Sequence, residues 1–229
     1  MMRDVSKFIH GFKRFQHQYL GSHHTMFERL VEEGQRPRAL MIACCDSRCD
    51  PALVTDCDPG DMFVVRNVAN LVPPHTQATF FAATSAAMAF AITNLEVEHI
   101  IVMGHARCGG VRTLMANRTP ECDEDELIAK WLGIAVDARQ QVLRELSGKS
   151  SGTQEHACEQ AAILISLENL LTYPWIKRRV QEGNLAIHGW YFDMERGELL
   201  EYQPITGKFQ VLVPNPNLRE ETQAVMLGA

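Results

Sequence analysis

The chain has 229 residues, of which 46% are apolar and 22% charged, a composition that suits one globular domain over residues 1–229 with a real core. Its formal net charge of −6 and pI near 5.8 argue against nucleic acid or an anionic membrane as main partner, because both favour basic faces. Residues 1–7 lack the apolar segment of a signal peptide, and no apolar run is long enough to span a bilayer. The seven cysteines are odd in number and irregularly spaced, so reduced thiols and a cytoplasmic location are expected rather than a disulfide framework.

Asp4 to Tyr19 reads as an amphipathic helix, with Val5, Phe8, Ile9, Phe12 and Phe15 at three- and four-residue steps. So long an apolar face at the N-terminus fits docking on a second subunit as well as packing on its own domain. With a short helix over Thr25–Glu33, ended by Gly34, it makes an N-terminal arm of residues 1–34. Ala39–Ala43 is the first strand and runs into Cys44-Cys45-Asp46-Ser47-Arg48. Asp50-Pro51 predicts an N-cap and a short helix around Ala52–Val54. After the turn Pro59-Gly60-Asp61 comes a second strand, Met62–Val65. Alanine-rich Thr76–Asn94 predicts one continuous helix.

His99–Met103 is the third strand, delivering Gly104-His105-Ala106-Arg107-Cys108-Gly109-Gly110, which opens a helix through Met115. Asn117–Asp125 reads as an acidic surface loop. Helices follow at Glu126–Leu146 and Gln154–Thr172, separated by a flexible Ser147–Gly152 linker. One or two more helical turns fit Trp175–Gln181. Leu185–Phe192 is a fourth strand, hairpinned through Met194–Gly197 to a fifth at Glu198–Tyr202, and Phe209–Val213 fits a short terminal strand.

Alternation of strand and helix predicts an α/β fold: a mostly parallel central sheet, four parallel strands plus an antiparallel edge strand, flanked by helices. If strands one and three are neighbours, with strand two beyond strand one, Cys44, His105 and Cys108 meet at a topological switch point, where open α/β sheets bind ligands. Two thiolates and an imidazole suit tetrahedral zinc with one corner free, the pattern of a catalytic site. A phosphatase loop is disfavoured, since only three residues separate Cys44 from Arg48 and Cys108 from Arg112. A dithiol redox site is also disfavoured, because Cys45 and Cys49 stand one residue too far apart for Cys-x-x-Cys. Arg48, Arg66, Arg107 and Arg112 nevertheless give the region a field that welcomes an anion.

Cys44-x-Asp46-Ser47-Arg48 together with Gly104-His105-x-x-Cys108-Gly109-Gly110 resembles the β-class carbonic anhydrases. Phe63–Pro74 and His188-Gly189-Trp190 match the same family, so the likeness spans about Gln35 to Leu200. The resemblance implies Zn2+, one per subunit, on Cys44, His105 and Cys108, with Asp46 and Arg48 as the catalytic dyad. The implied reaction is reversible hydration of carbon dioxide to bicarbonate and a proton by a metal-bound hydroxide. Phe63 and Val68 become the wall of a narrow substrate pocket, with Gly109 beside it and Gln35 adding an amide at a subunit interface. A homodimer or homotetramer is implied.

Some family members carry a tryptophan before the first ligand and a tyrosine after His-Gly-Trp, and hold an inhibitory bicarbonate there. Met41 and Phe192 stand at those positions, so this site is expected to be absent. Phe90 stands where plant relatives have a tyrosine. Two alternatives stay open: hydrolysis of carbonyl sulfide or carbon disulfide on the same metal, and a non-catalytic zinc module with all four corners filled by protein.

Overall fold

The computed structural model describes residues 5–20 and 25–217. Its elements are α1 (Ser6–Tyr19), α2 (Thr25–Glu33), β1 (Ala39–Cys44), α3 (Pro51–Thr55), β2 (Met62–Asn67), α4 (Ala82–Thr93), β3 (His99–His105) and α5 (Gly109–Ala116). They continue with α6 (Asp123–Leu132), α7 (Val136–Glu145), α8 (Ser151–Leu170), α9 (Pro174–Gln181), β4 (Ala186–Asp193), β5 (Glu198–Gln203) and β6 (Lys208–Val213). The six strands form one sheet in the order β2-β1-β3-β4-β5-β6. β2, β1, β3 and β4 run parallel, and β5 is antiparallel to both β4 and β6. The sheet is therefore the expected one, with β6 rather than β5 as its outer strand.

β1 and β3 are apolar nearly throughout because helices and loops cover both faces of the sheet centre. Leu40, Ile42, Ile100 and Val102 pack on one face against Met88 and Ile92 of α4 and Ile163 and Leu170 of α8. Met41, Ala43, Ile101 and Met103 line the other face, beside Val54 of α3 and Trp190 of β4. Asp50 caps α3, accepting from the amides of Ala52 and Leu53, and Ser150 caps α8 through the amide of Thr153.

Several helix boundaries differ from the sequence expectation, each for a local reason. Thr76–Asn94 is not one helix: a 3-10 turn spans His75–Gln77 and α4 begins only at Ala82. Phe81 leaves helical geometry (φ −107°, ψ 51°) and its ring sits edge-on to Trp131 at 5.1 Å. Glu126–Leu146 is broken by a 3-10 turn at Gly133–Ala135. The expected acidic loop already contains the start of α6, where Asp123, Glu124, Asp125 and Glu126 oppose the positive end of the helix dipole. Ser151 and Gly152 of the expected linker belong to α8. Asp4, the expected start of α1, lies outside the described residues.

α1 has no buried residue, and Val5, Phe8, Ile9 and Phe12 stay exposed. Its aromatic contact with the next helix is a single edge-on pair, Phe15 with Phe27 at 5.6 Å. The apolar face of the arm is not covered by the described residues.

Candidate metal centre

β1 and β3 end side by side, with Ala43 opposite Met103, so the two turns that follow them converge. Cys44 comes from the last position of β1, His105 from the last of β3, and Cys108 from the residue that opens α5. Their ligand atoms lie within 4.8 Å of one another, and all three residues are buried. The two Sγ atoms are 3.9 Å apart, close to the roughly 3.8 Å that two thiolates take on one tetrahedral zinc. His105 Nδ1 donates to the carbonyl of Ala106 at 2.8 Å, which leaves Nε2 as the unprotonated nitrogen. That Nε2 is buried and has no hydrogen-bond partner among the described residues. An orphaned imidazole lone pair facing two thiols fits a thiophilic divalent cation.

Hydrogen bonding from Cys108, and then from Cys49, holds the Cys44 thiol far below its ordinary range. The same Cys44 contact, followed by burial, pushes Cys49 and Cys108 up. A bound divalent cation would favour ionising both ligand thiols.

Asp46 stands beside this cluster in a fork-on-fork pair with Arg48. Arg48 Nε donates to Oδ1 at 2.9 Å, Nη2 to Oδ2 at 2.8 Å, and the Arg48 amide to Oδ1 at 3.0 Å. Hydrogen bonding from Arg48 is the main reason the Asp46 carboxyl is held down to about 2, with burial opposing it. Arg48 Nη2 also reaches the carbonyl of Arg107 at 3.1 Å, tying the first turn to the second. Arg66 braces the first turn from below. It donates to the carbonyls of Cys44 (2.9 Å) and Asp46 (2.7 Å) and pairs with Asp50 at 2.6 Å.

The family model for carbonic anhydrase matches residues 39–199. A carbonic anhydrase of Synechocystis sp. is 37% identical over 205 residues, covering 90% of this chain and 73% of the relative. The chain belongs to the β-class carbonic anhydrases. Among solved structures, the β-carbonic anhydrase CcaA superposes with a TM-score of 0.84 at 36% identity, covering 90% of this chain and 98% of that one. One of two tetrameric β-carbonic anhydrases from the ascomycete Sordaria macrospora gives 0.72 at 28% identity, covering 86% and 93%.

Within this carbonic anhydrase the expected pocket residues divide between the two ends of the sheet. Val68 follows β2 directly and lies at the carboxyl end, where a Cβ added to Gly110 would meet its Cγ1 at 2.7 Å. Gly109 is the first residue of α5, next to Cys108. Phe63 pairs with Leu40, four residues before Cys44 along β1, or about 13 Å back at strand rise. Its ring stacks obliquely on that of Phe90, which is 45% exposed, at 5.9 Å. Gln35 is exposed and precedes β1 altogether. Neither Gln35 nor Phe63 reaches the metal cluster of its own chain.

One residue that the sequence reading passed over touches the site. Glu159 of α8 accepts from the Cys108 amide at 3.0 Å and from the Tyr191 hydroxyl at 2.7 Å. Its neighbours along the buried stripe of α8 are Cys158, Ala162, Ile163 and Ser166. A carboxylate in phase with such a stripe is the signal that was there to be read.

Proposed function

We propose that this chain catalyses the reversible hydration of carbon dioxide to bicarbonate and a proton, with one Zn2+ per subunit held by Cys44, His105 and Cys108. The observation that carries this reading is the buried, partnerless Nε2 of His105 facing the two thiols. When bound, zinc would supply a Lewis acid that lowers the pKa of a coordinated water. The chain's own residues do the rest. His105 is held in one tautomer by the Ala106 carbonyl. Asp46, kept ionised by Arg48, offers a carboxylate oxygen to orient attacking water and take up its hydrogen bond. Arg48, by binding the Arg107 carbonyl too, fixes that carboxylate relative to both turns.

Val68 and Gly109 form the near wall of the substrate pocket, which for a small uncharged gas need only be narrow and apolar. Gln35 and Phe63 complete it from a second copy of the chain, because their own copy places them at the far end of the sheet. The uncovered apolar face of α1 supports the same homo-oligomer, with residues 1–34 as the exchanged arm of one domain. No helix among the described residues is long and apolar enough to cross a membrane. That observation and the seven free thiols support a cytoplasmic enzyme whose partners are its substrate and itself. Met41 and Phe192 offer no hydrogen-bond donor from their side chains, which supports the absence of an inhibitory bicarbonate site.

The test is zinc content together with stopped-flow hydration on the parent and on Cys108→Ser. Joint loss of metal and activity is the expected result. A variant that sheds zinc yet still hydrates carbon dioxide at the parental rate would falsify the reading.

A further inference from the structure

Cys108 occupies the N-cap position of α5, yet its side chain makes no capping hydrogen bond. Its backbone amide is instead satisfied from a distant element: Glu159 Oε1, from the middle of α8 and 51 residues on, accepts it at 3.0 Å. The other carboxylate oxygen of Glu159 accepts from Tyr191 Oη of β4 at 2.7 Å, and Tyr191 Oη lies 3.0 Å from His156 Nδ1 at the protein surface. Glu159 is 5% exposed and Tyr191 is fully buried. A carboxylate this deep is costly to keep unless each oxygen has a donor, and here each has one. Three elements, α5, α8 and β4, meet on this one side chain.

We propose that Glu159 is a positioning residue for the metal centre, acting through Cys108. By holding the Cys108 amide it sets the backbone from which Sγ is aimed at the point shared with Cys44 and His105, and Tyr191 locks the carboxylate in that pose. The proposal rests on the reading of Cys108 as a ligand. Glu159 touches neither substrate nor metal, so its effect is on how firmly the metal is held and how regular the site is. Removing such an outer partner characteristically costs about 10–100-fold in metal affinity.

The experiment uses the full-length chain loaded with Co2+, read by the thiolate-to-cobalt absorption band, and zinc loss to a chromophoric chelator, read as a rate. Glu159→Ala removes both contacts. Glu159→Asp keeps the charge but is one methylene too short to span both donors. Glu159→Gln keeps a carbonyl oxygen for the Cys108 amide, while its NH2 donates to Tyr191 Oη, which turns its own proton to His156. We expect zinc release to quicken about 10–100-fold in the Ala and Asp variants, with a broadened cobalt band, and to return to near the parental rate in the Gln variant. Should the Ala variant fail to fold, the Asp and Gln variants decide between themselves. Parental release in the Asp variant overturns the proposal, and so does a Gln variant as leaky as Asp, since an acceptor kept in place for the Cys108 amide would then fail to hold the ligand. Cys108→Ser separates the two claims. If it leaves the cobalt band intact, the ligand assignment itself fails; if it weakens the band while Glu159→Asp does not, only the positioning role fails.

Discussion

Gly104, the residue before His105, tests how tightly the metal centre is tied to the core beneath it. A Cβ at this position would lie 2.8 Å from Ile163 Cδ1, 2.9 Å from Ile163 Cγ1 and 3.4 Å from Asn70 Nδ2. Ile163 is fully buried on α8 and has no free volume to retreat into. Relieving the closest contact to ordinary van der Waals distance takes about 0.6 Å of movement, divided between the end of β3 and α8. Overpacking of this kind costs about 1–3 kcal/mol, and the lower entropy of an unfolded Ala chain returns about 0.4–1 kcal/mol. Gly104→Ala should therefore lose about 1–2 kcal/mol in urea unfolding at fixed protein concentration. It should also lower kcat/KM about tenfold, since a 1 Å misplacement of catalytic groups costs about a hundredfold. Ile163→Val deletes the atom at 2.8 Å, so in that background the glycine substitution should cost less, with a coupling of at least about 0.5 kcal/mol. Strictly additive penalties, or full activity in Gly104→Ala, would refute the packing argument.

Arg48→Ala should let the Asp46 carboxyl rise from about 2 towards its ordinary 3.8 or beyond, because burial alone raises it. The acid limb of the kcat/KM profile should then move to higher pH, and an unmoved limb would count against the dyad. The sign for stability follows from a folded pKa below the unfolded one. The pair helps the fold above about pH 4, and its help fades as pH falls towards about 2. Asp50→Ala removes both the cap of α3 and the partner of Arg66. It should cost about 1–2 kcal/mol in chemical denaturation, and an unchanged midpoint would show the cap to be idle. Activity should decline smoothly towards acid without cooperative inhibition by bicarbonate, and a steep bicarbonate-dependent loss in an initial-rate assay would contradict the role given to Met41 and Phe192.

Much of this was readable in advance because strands buried on both faces leave unbroken apolar runs, as at Ala39–Cys44 and His99–His105. Their shared carboxyl-end turns then named Cys44, His105 and Cys108 before any coordinates. What stayed hidden depends on distance rather than pattern. The role of Glu159 exists only because α8 crosses behind β3 and β4. The displacement of Phe63 from its own metal cluster follows from strand register, which no local motif encodes. Phe81 breaks an otherwise helical alanine-rich stretch because Trp131, fifty positions on, takes its ring.

The placement of Cys44 at the end of β1 and of Cys108 just past the neighbouring β3, 64 residues apart in sequence, also bears on how the protein is born. A ribosome adding about 5–20 residues each second leaves Cys44 waiting roughly 3–13 s before its partner thiol is even polymerised. During that interval Cys44, Cys45 and Cys49 emerge together as three neighbouring sulfhydryls with no sheet to shelter them. Early oxidation or capture of a stray soft metal in the nascent chain would therefore deprive the cluster of its first ligand before β3 exists.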